Sequence, residues 1–129
     1  MKNRDIYDLS LALLADSGDR LENGDYEERA GYLLAAFASE AEIINRRLSE
    51  AAGESGDEID IPIYLSLEEE FPLKSRFRTA AGHYLASMLI LEEDPDLSEL
   101  LFDRYCDLLR EICDEIPMRS CPIADRYGM

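Results

Sequence analysis

The chain has only one histidine and three cysteines, which limits the metal and nucleophile chemistry it can support. A di-iron bundle needs Glu-x-x-His pairs on two helices, and His83 alone cannot supply them. Cys106 and Cys113 are seven residues apart on a predicted helix, about 10 Å along its axis, which is too far for a direct disulfide. The sequence has no Cys-x-x-Cys spacing around these two or Cys121, so we do not expect a zinc site. We expect the cysteines to be small apolar side chains in a reduced core.

The sequence also lacks a long apolar run and an excess of basic residues. No stretch approaches the roughly 18 apolar residues of a membrane-spanning helix. Asp5, Asp8 and Asp16 interrupt the first residues, which therefore do not resemble a signal peptide, and we expect a cytoplasmic protein. Acidic residues outnumber basic ones 29 to 13, for a formal charge of −16. Such a chain repels nucleic-acid phosphates and anionic membranes, so we expect neither as a partner.

The densest basic group is Lys74, Arg76 and Arg78. A local basic patch is one interpretation of these residues. Solvated charges at the start of a helix are the other, because charged side chains are common on surfaces.

Candidate catalytic residues are few. His83 has Ser87 four residues further on, but an acidic orienting residue and an oxyanion hole are not evident, so we expect a partly buried, hydrogen-bonded histidine. The acidic runs 68–70 and 92–94 are typical of solvated carboxylates rather than of an acid–base pair. Gly53 and Gly56 lack the Lys and Ser/Thr of a nucleotide-binding loop. We therefore predict no enzyme, no catalytic or metal site and no cofactor.

Length and periodicity predict one helical domain covering residues 1–129. The chain is 47% hydrophobic, which is enough for a core at this length. We predict an all-α fold, a four-to-five-helix bundle with a long acidic loop between helices two and three and an irregular C-terminal tail. The predicted helices span about 3–16, 25–52, 72–93 and 96–116, with a loop at 53–64, of which 53–60 is expected to be mobile, and the tail at 117–129.

Helix two carries a continuous apolar seam and is predicted to begin at an Asp25 cap. Small residues at Gly31, Ala35 and Ala36 allow either a close approach by another helix or a solvent-facing role. After the loop, Ile59, Ile61 and Ile63 alternate with Asp60 and Pro62. This pattern favours a short extended piece, although the proline argues against a central strand. An acidic turn or short helix is expected at 65–71.

Helix three is predicted to begin at Pro72, since proline is favoured at the first helical position. Asp94-Pro95-Asp96 forms a tight turn, in which Asp94 or Asp96 caps helix four. A turn this short makes helices three and four antiparallel neighbours. Helix two is their expected packing partner.

The stretch from Ile61 to Tyr105 resembles a known family. It contains Ile61-Pro62, an acidic segment, Phe71-Pro72-Leu73, Ala80 to Ala86 around His83-Tyr84, acids at 92–96, and Leu101-Phe102-Asp103-Arg104-Tyr105. It is similar to the C-terminal half of the small helical head–tail connector (adaptor) proteins of tailed bacteriophages and prophages. The N-terminal helices are similar in style to that family's opening helices.

The resemblance implies a structural virion-assembly protein that forms a homo-oligomeric ring beneath the portal protein, between portal and tail proteins. It places the chain in the cytoplasm of a bacterial host and, once assembled, in the virion neck. A negative wall there would repel DNA and let it slide. The family's extended C-terminal arm corresponds to residues 118–129, and the loop 53–60 to a segment that becomes ordered on assembly.

A second reading comes from the charge alone. An acidic cytosolic interaction or regulatory module would bind a basic protein partner through its surface. The seven tyrosines spread along the chain are typical of a protein interface. They are equally compatible with rings that cap the core while their hydroxyls reach water.

Overall fold

The computed structural model describes residues 1–14 and 24–117, and this part of the chain is all-α. Its α-helices are α1 (Asn3–Leu13), α2 (Gly24–Ala51), α3 (Arg78–Ile90) and α4 (Pro95–Cys113). A 3₁₀ turn, Ser75–Phe77, leads directly into α3. The predicted tail 118–129 and the end of the first predicted helix, 15–16, lie outside the described residues.

Helix α3 is the central element, because it packs against α1, α2 and α4. Small residues are buried on several sides of this helix, at Ala80, Ala81, Gly82 and Ala86. The α3–α4 contact is the most extensive, and the two helices are antiparallel, as predicted. Ser98 Oγ donates to the Ser87 carbonyl at 2.8 Å near the turn that joins them. The contact of α3 with α1 exceeds that with α2, the expected partner.

The turn between α3 and α4 has the predicted cap. The Asp94 carboxylate accepts a hydrogen bond from Leu97 N–H at 3.1 Å, and Pro95 stands in the first turn of α4. The end of α3 comes earlier than predicted, at Ile90. Its carbonyl accepts from both Glu93 and Asp94 N–H groups, which closes a turn over residues 91–94 instead of extending the helix.

The predicted start of helix three at Pro72 is wrong. Phe71 N–H donates to the Met1 carbonyl at 2.8 Å, and Lys74 N–H donates to Asn45 Oδ1 at 2.8 Å. Lys74 has φ −62° and ψ 148°, an extended conformation, so the backbone before Ser75 is not helical. Helix α4 likewise ends at Cys113, before the predicted 116.

Helix α2 ends in a glycine cap. Gly53 has φ +79°, Glu54 N–H donates to the Ser49 carbonyl at 2.8 Å, and Gly53 N–H donates to the Glu50 carbonyl at 3.0 Å. This is a Schellman arrangement, and it reverses the chain direction. Residues 54–74, the connecting segment, then run back along α2.

The connecting segment is bound to α2 and then to α1. Ile59 N–H donates to Glu42 Oε1 of α2 at 3.1 Å, and Leu65 N–H donates to the Gly31 carbonyl at 3.1 Å. Carbonyls of Leu67 and Glu69 then accept from Arg4 and Asn3 N–H groups at 2.8 and 2.9 Å. These are the otherwise unpaired donors at the start of α1. Residues 65–71 therefore form a turn, not a short helix, and no strand is assigned in the described residues.

Candidate functional site

The residues considered for catalysis are tied to their own helix. His83 Nδ1 donates to the Thr79 carbonyl at 2.8 Å, and Ser87 Oγ donates to the Tyr84 carbonyl at 3.0 Å. His83 is half-buried, as expected, while Ser87 is buried. Each side chain thus makes a backbone bond one turn back, and neither is directed at the other.

The cysteines are not all core residues. Cys106 is half-buried and Cys113 is exposed, which corrects the expectation of three core positions. The reason is helical register: Ile112 occupies the core-facing position, so Cys113 points away. Cys121 lies outside the described residues. Within residues 1–14 and 24–117 no group of His, Cys, Asp and Glu is arranged to hold a metal ion.

The basic group at 74–78 is largely neutralised by acids. Lys74 Nζ lies 2.9 Å from Glu54 Oε2, and Arg76 Nε donates to Glu115 Oε2 at 2.7 Å. Arg78 is exposed. The three residues therefore do not combine into a basic patch.

The acidic runs also have local roles. Glu68 accepts from Arg4 Nε at 2.7 Å, whereas Glu92 and Glu93 are exposed and Asp94 caps α4. Arg4 also reaches Glu27 on α2 at 2.8 Å, so one arginine joins α1, α2 and the connecting segment. These bonds raise the pKa of the Arg4 guanidinium, first through Glu27 and then through Glu68.

Glu42 is the best-defined carboxylate on α2. It is buried and accepts from Arg46 at 2.8 Å and from Ile59 N–H at 3.1 Å. The Arg46 bond, followed by the Ile59 bond, lowers the pKa of the Glu42 carboxyl. Since a charged acceptor strengthens such bonds, Glu42 holds the connecting segment on α2.

Gly31 allows the connecting segment to bind α2 at a second point, through the hydrogen bond from Leu65 N–H to the Gly31 carbonyl. A Cβ at this position would lie 2.7 Å from the Leu65 carbonyl oxygen and would overlap the Tyr64 ring. The small residue therefore admits an extended segment, not another helix. Tyr64 then lies edge-on to Tyr32, with ring centroids 4.8 Å apart.

The core is centred on aromatic rings around Phe37 of α2. Ring centroids of Phe71, Phe77, Tyr84 and Tyr105 lie between 5.8 and 6.5 Å from it. Burial raises the pKa of Tyr105 to about 12. The positions of the tyrosines in the sequence did not predict which rings are buried in this cluster and which, like Tyr32, are exposed.

One opening on the surface is a shallow groove between α2 and the connecting segment. We call it the α2 groove. Its volume is about 300 Å³, and its lining is mostly apolar: Tyr32, Ala35, Ala36, Ser39, Ile61, Pro62 and Ile63. Ile63 is 84% exposed and Tyr32 54% exposed. Clustered exposed apolar side chains of this kind mark interaction surfaces.

Another exposed apolar side chain lies on α4, where Leu100 is 68% exposed. Acids surround it at Asp96, Glu99 and Asp103. None of the described helices is long and apolar enough to cross a bilayer.

Sequence reasoning missed the α2 groove as a unit. It singled out the alternating isoleucines and the small residues of α2 separately. Only the Gly31–Leu65 and Glu42–Ile59 bonds bring the two sets together. A glycine and two alanines on one helix next to a proline-bearing extended segment were the available signal.

Comparison with protein-family models, with curated proteins and with solved structures gave no significant match.

Proposed function

We propose that this protein is a structural assembly subunit that acts through protein–protein contacts, as a phage or prophage head–tail connector does. The observation that carries this proposal is the α2 groove with its exposed Ile63 and Tyr32, built by the same Ile61–Phe71 region that resembles the connector family. An apolar surface held by buried polar anchors is preorganised for a partner, which lowers the cost of binding.

In this proposal the subunits form a ring beneath the portal, in the virion neck, and the acidic exterior faces packaged DNA. The formal charge of −16 would repel the phosphate backbone and keep it from adhering. The helical bundle is the scaffold, and the acidic loop 53–60, which the Gly53 cap and the Glu42–Ile59 bond hold on α2, is a contact surface for neighbouring subunits.

Electron microscopy of purified virions or prophage particles, with the protein labelled, tests the assignment. We expect the label in the neck, and absence from the neck would overturn it. An Ile63→Asp variant should reduce incorporation at least tenfold because it places a charge on the apolar groove. Ser55→Asp, in an exposed part of the connecting segment, is the matched control and should incorporate normally.

The acidic surface favours a second candidate, a cytosolic regulatory module that binds a basic protein. A pull-down from host cells distinguishes the two. One basic, non-phage partner recovered at stoichiometric yield, with binding that weakens steeply with salt, would favour the module.

A further inference from the structure

The α2 groove continues into an acidic opening. The two share Ser39 and Ile61 as lining residues, so they form one continuous surface between α2 and the connecting segment. Beyond these shared residues the second opening is lined by Glu58 and Asp60, which we call the acidic end of the groove. A segment lying along this surface therefore contacts apolar side chains in one part and carboxylates in the other.

The acidic end carries more negative charge than the chain itself neutralises. Glu42 also lines this opening, and Arg46 pairs with the Glu42 carboxylate at 2.8 Å. Glu58 and Asp60 are exposed and form no ion pair within residues 1–14 and 24–117. These two carboxylates are available to a basic side chain of a partner.

The apolar side of the groove is held in place before a partner binds. The connecting segment is bonded to α2 on both sides of the groove, through the N–H groups of Ile59 and Leu65. Ile61, Pro62 and Ile63 lie between these two bonds, and Ile63 is nevertheless 84% exposed. Because the backbone is already fixed here, little ordering entropy is lost when a partner covers these side chains.

Helix geometry gives the distance between the apolar part and the acidic end. Ile59 N–H donates to Glu42 Oε1 at 3.1 Å. Its neighbours in the chain, Glu58 and Asp60, therefore lie near the level of Glu42 on α2. Ala36, in the apolar lining, is six residues earlier on the same helix. At 1.5 Å per residue the separation is about 9 Å along the helix axis.

A second copy of the chain is a poor occupant of this surface. The chain has 29 acidic against 13 basic residues, so two copies repel each other. Many of the described basic residues are also paired within their own molecule: Arg4, Arg46, Lys74, Arg76, Arg104 and Arg110. Charge complementarity instead favours a basic segment of a different protein.

We propose that the α2 groove binds a segment of a different protein that carries a lysine or arginine about 9 Å from a large apolar side chain. The apolar side chain lies against Ala36 and Ile63. The basic side chain pairs with Glu58 and Asp60. This inference rests on the proposed function, because it names the partner chemistry of the groove through which that function acts.

Selection from a library of random peptides displayed on yeast tests this pattern, with the full-length protein as the target. We expect the enriched peptides to carry a lysine or arginine about three residues from a large apolar residue in an extended segment, or about six in a helical one. Enriched peptides without this pairing, or a library from which no peptide is enriched, would overturn the proposal.

The affinity of one enriched peptide, measured by fluorescence anisotropy, locates its binding site. Ile63→Ser should weaken binding at least tenfold, and so should the double variant Glu58→Lys, Asp60→Lys. All three positions are exposed, and unchanged helical circular dichroism should show that folding is intact. Wild-type affinity in either variant would overturn the assigned site.

Two controls separate the groove from general charge and from exposed apolar surface. Glu92→Lys, Glu93→Lys makes the same change in net charge at two exposed positions that do not line the groove. Leu100→Ser removes an exposed apolar side chain from α4. Both should keep close to wild-type affinity. Equal weakening by the two double variants would mean that the peptide responds only to net charge, which contradicts the proposal.

Charge exchange tests the pairing at the acidic end. A peptide whose basic residue is replaced by glutamate should bind Glu58→Lys, Asp60→Lys more tightly than it binds the wild type. The same preference for both proteins would contradict the assigned pairing.

Sedimentation velocity tests the alternative occupant, a second copy. We expect the wild type and Ile63→Ser to have the same sedimentation coefficient. A wild-type dimer that Ile63→Ser converts to a monomer would show that another copy covers the groove, and would overturn the proposal. The inference and the proposed function can fail separately. A protein found in the virion neck whose selected peptides lack the basic residue overturns the inference alone, and absence from the neck overturns the assembly function alone.

Discussion

Gly31 shows how one missing methyl group positions the connecting segment. An added Cβ would lie 2.7 Å from the Leu65 carbonyl oxygen, a backbone atom that cannot turn aside. Alanine gains about 1 kcal/mol over glycine in a helix interior, whereas overpacking costs about 1–3 kcal/mol. We therefore expect Gly31→Ala to lower the free energy of unfolding by about 1 kcal/mol in urea denaturation.

Gly56→Ala is the comparison for Gly31→Ala. The three atoms nearest to its added Cβ all belong to the side chain of Glu50, which is exposed and can rotate away. We expect its free energy of unfolding to stay within about 0.5 kcal/mol of the wild type. A Gly31→Ala protein more stable than the wild type would show that the segment does not lie tightly on α2.

Glu42 links pH to the attachment of the same segment. Its carboxyl pKa is lowered from 4.5 by the Arg46 and Ile59 bonds. A depressed folded-state pKa means that the stabilisation is present above pH 4.5 and is lost as the pH falls through the folded-state value. We expect Glu42→Gln to be less stable than the wild type at pH 7, with a smaller difference at about pH 3.5.

Urea denaturation at the two pH values measures how far the stability difference between the variant and the wild type decreases. Glu40→Gln is the matched control, because Glu40 is exposed on the same helix and accepts no hydrogen bond among those of the described residues. Its effect should be small at both pH values. A Glu42→Gln deficit that is the same at pH 7 and pH 3.5 would rule out the charged carboxylate as the anchor.

At the scale of elements, α3 depends on close contact with α1. A Cβ at Gly82 would lie 2.6 Å from Leu9 Cδ2 and 2.9 Å from Leu9 Cγ. We expect Gly82→Ala to destabilise the wild-type protein by about 1–2 kcal/mol because α1 must shift. In a Leu9→Ala background the same change should stabilise by up to about 1 kcal/mol, since the clash is removed and alanine favours the helix.

A double-mutant cycle in urea measures this coupling. The sign reversal is the decisive readout, because a general weakening of α3 would give the same loss in both backgrounds. If Gly82→Ala destabilises both backgrounds equally, α1 and α3 do not meet at Leu9 and Gly82.

The sequence predicted those elements that local patterns determine. The existence of four helices, the Asp94 cap and the antiparallel α3–α4 pair depend on periodicity, capping and a short turn, all of which are local. The helix start at Pro72 was wrong because bonds to Met1 and Asn45 hold this segment across the fold, with Lys74 in an extended conformation at ψ 148°. No local pattern reveals bonds between residues that far apart.

The candidate site was predictable only in part for the same reason. Gly31 and the alternating isoleucines were visible in the sequence, but their contact needs the chain reversal at Gly53 and two bonds to α2. The predicted burial of Cys113 was also wrong. The apolar stripe of a helix is wide, and the sequence does not show whether a residue at its edge is buried or exposed.

At the scale of the whole molecule, charge is the dominant property. A formal charge of −16 on 129 residues opposes compaction through self-repulsion. Ion pairs such as Arg4–Glu27 act against this, but exposed pairs contribute only about 0–1 kcal/mol each. We expect repulsion among the excess acidic residues to outweigh these pairs at low salt.

Raising sodium chloride from about 10 to 300 mM should therefore increase the Tm, because the screening length falls from about 30 Å to well under 10 Å. A gain of about 1 kcal/mol corresponds to about 4 °C for a domain of this size, measured by scanning calorimetry. The Glu92→Gln, Glu93→Gln double variant, altered at two exposed acids outside the core, should start higher and respond less. A Tm that falls with salt would mean that the ion pairs joining α1, α2 and the connecting segment outweigh the net repulsion.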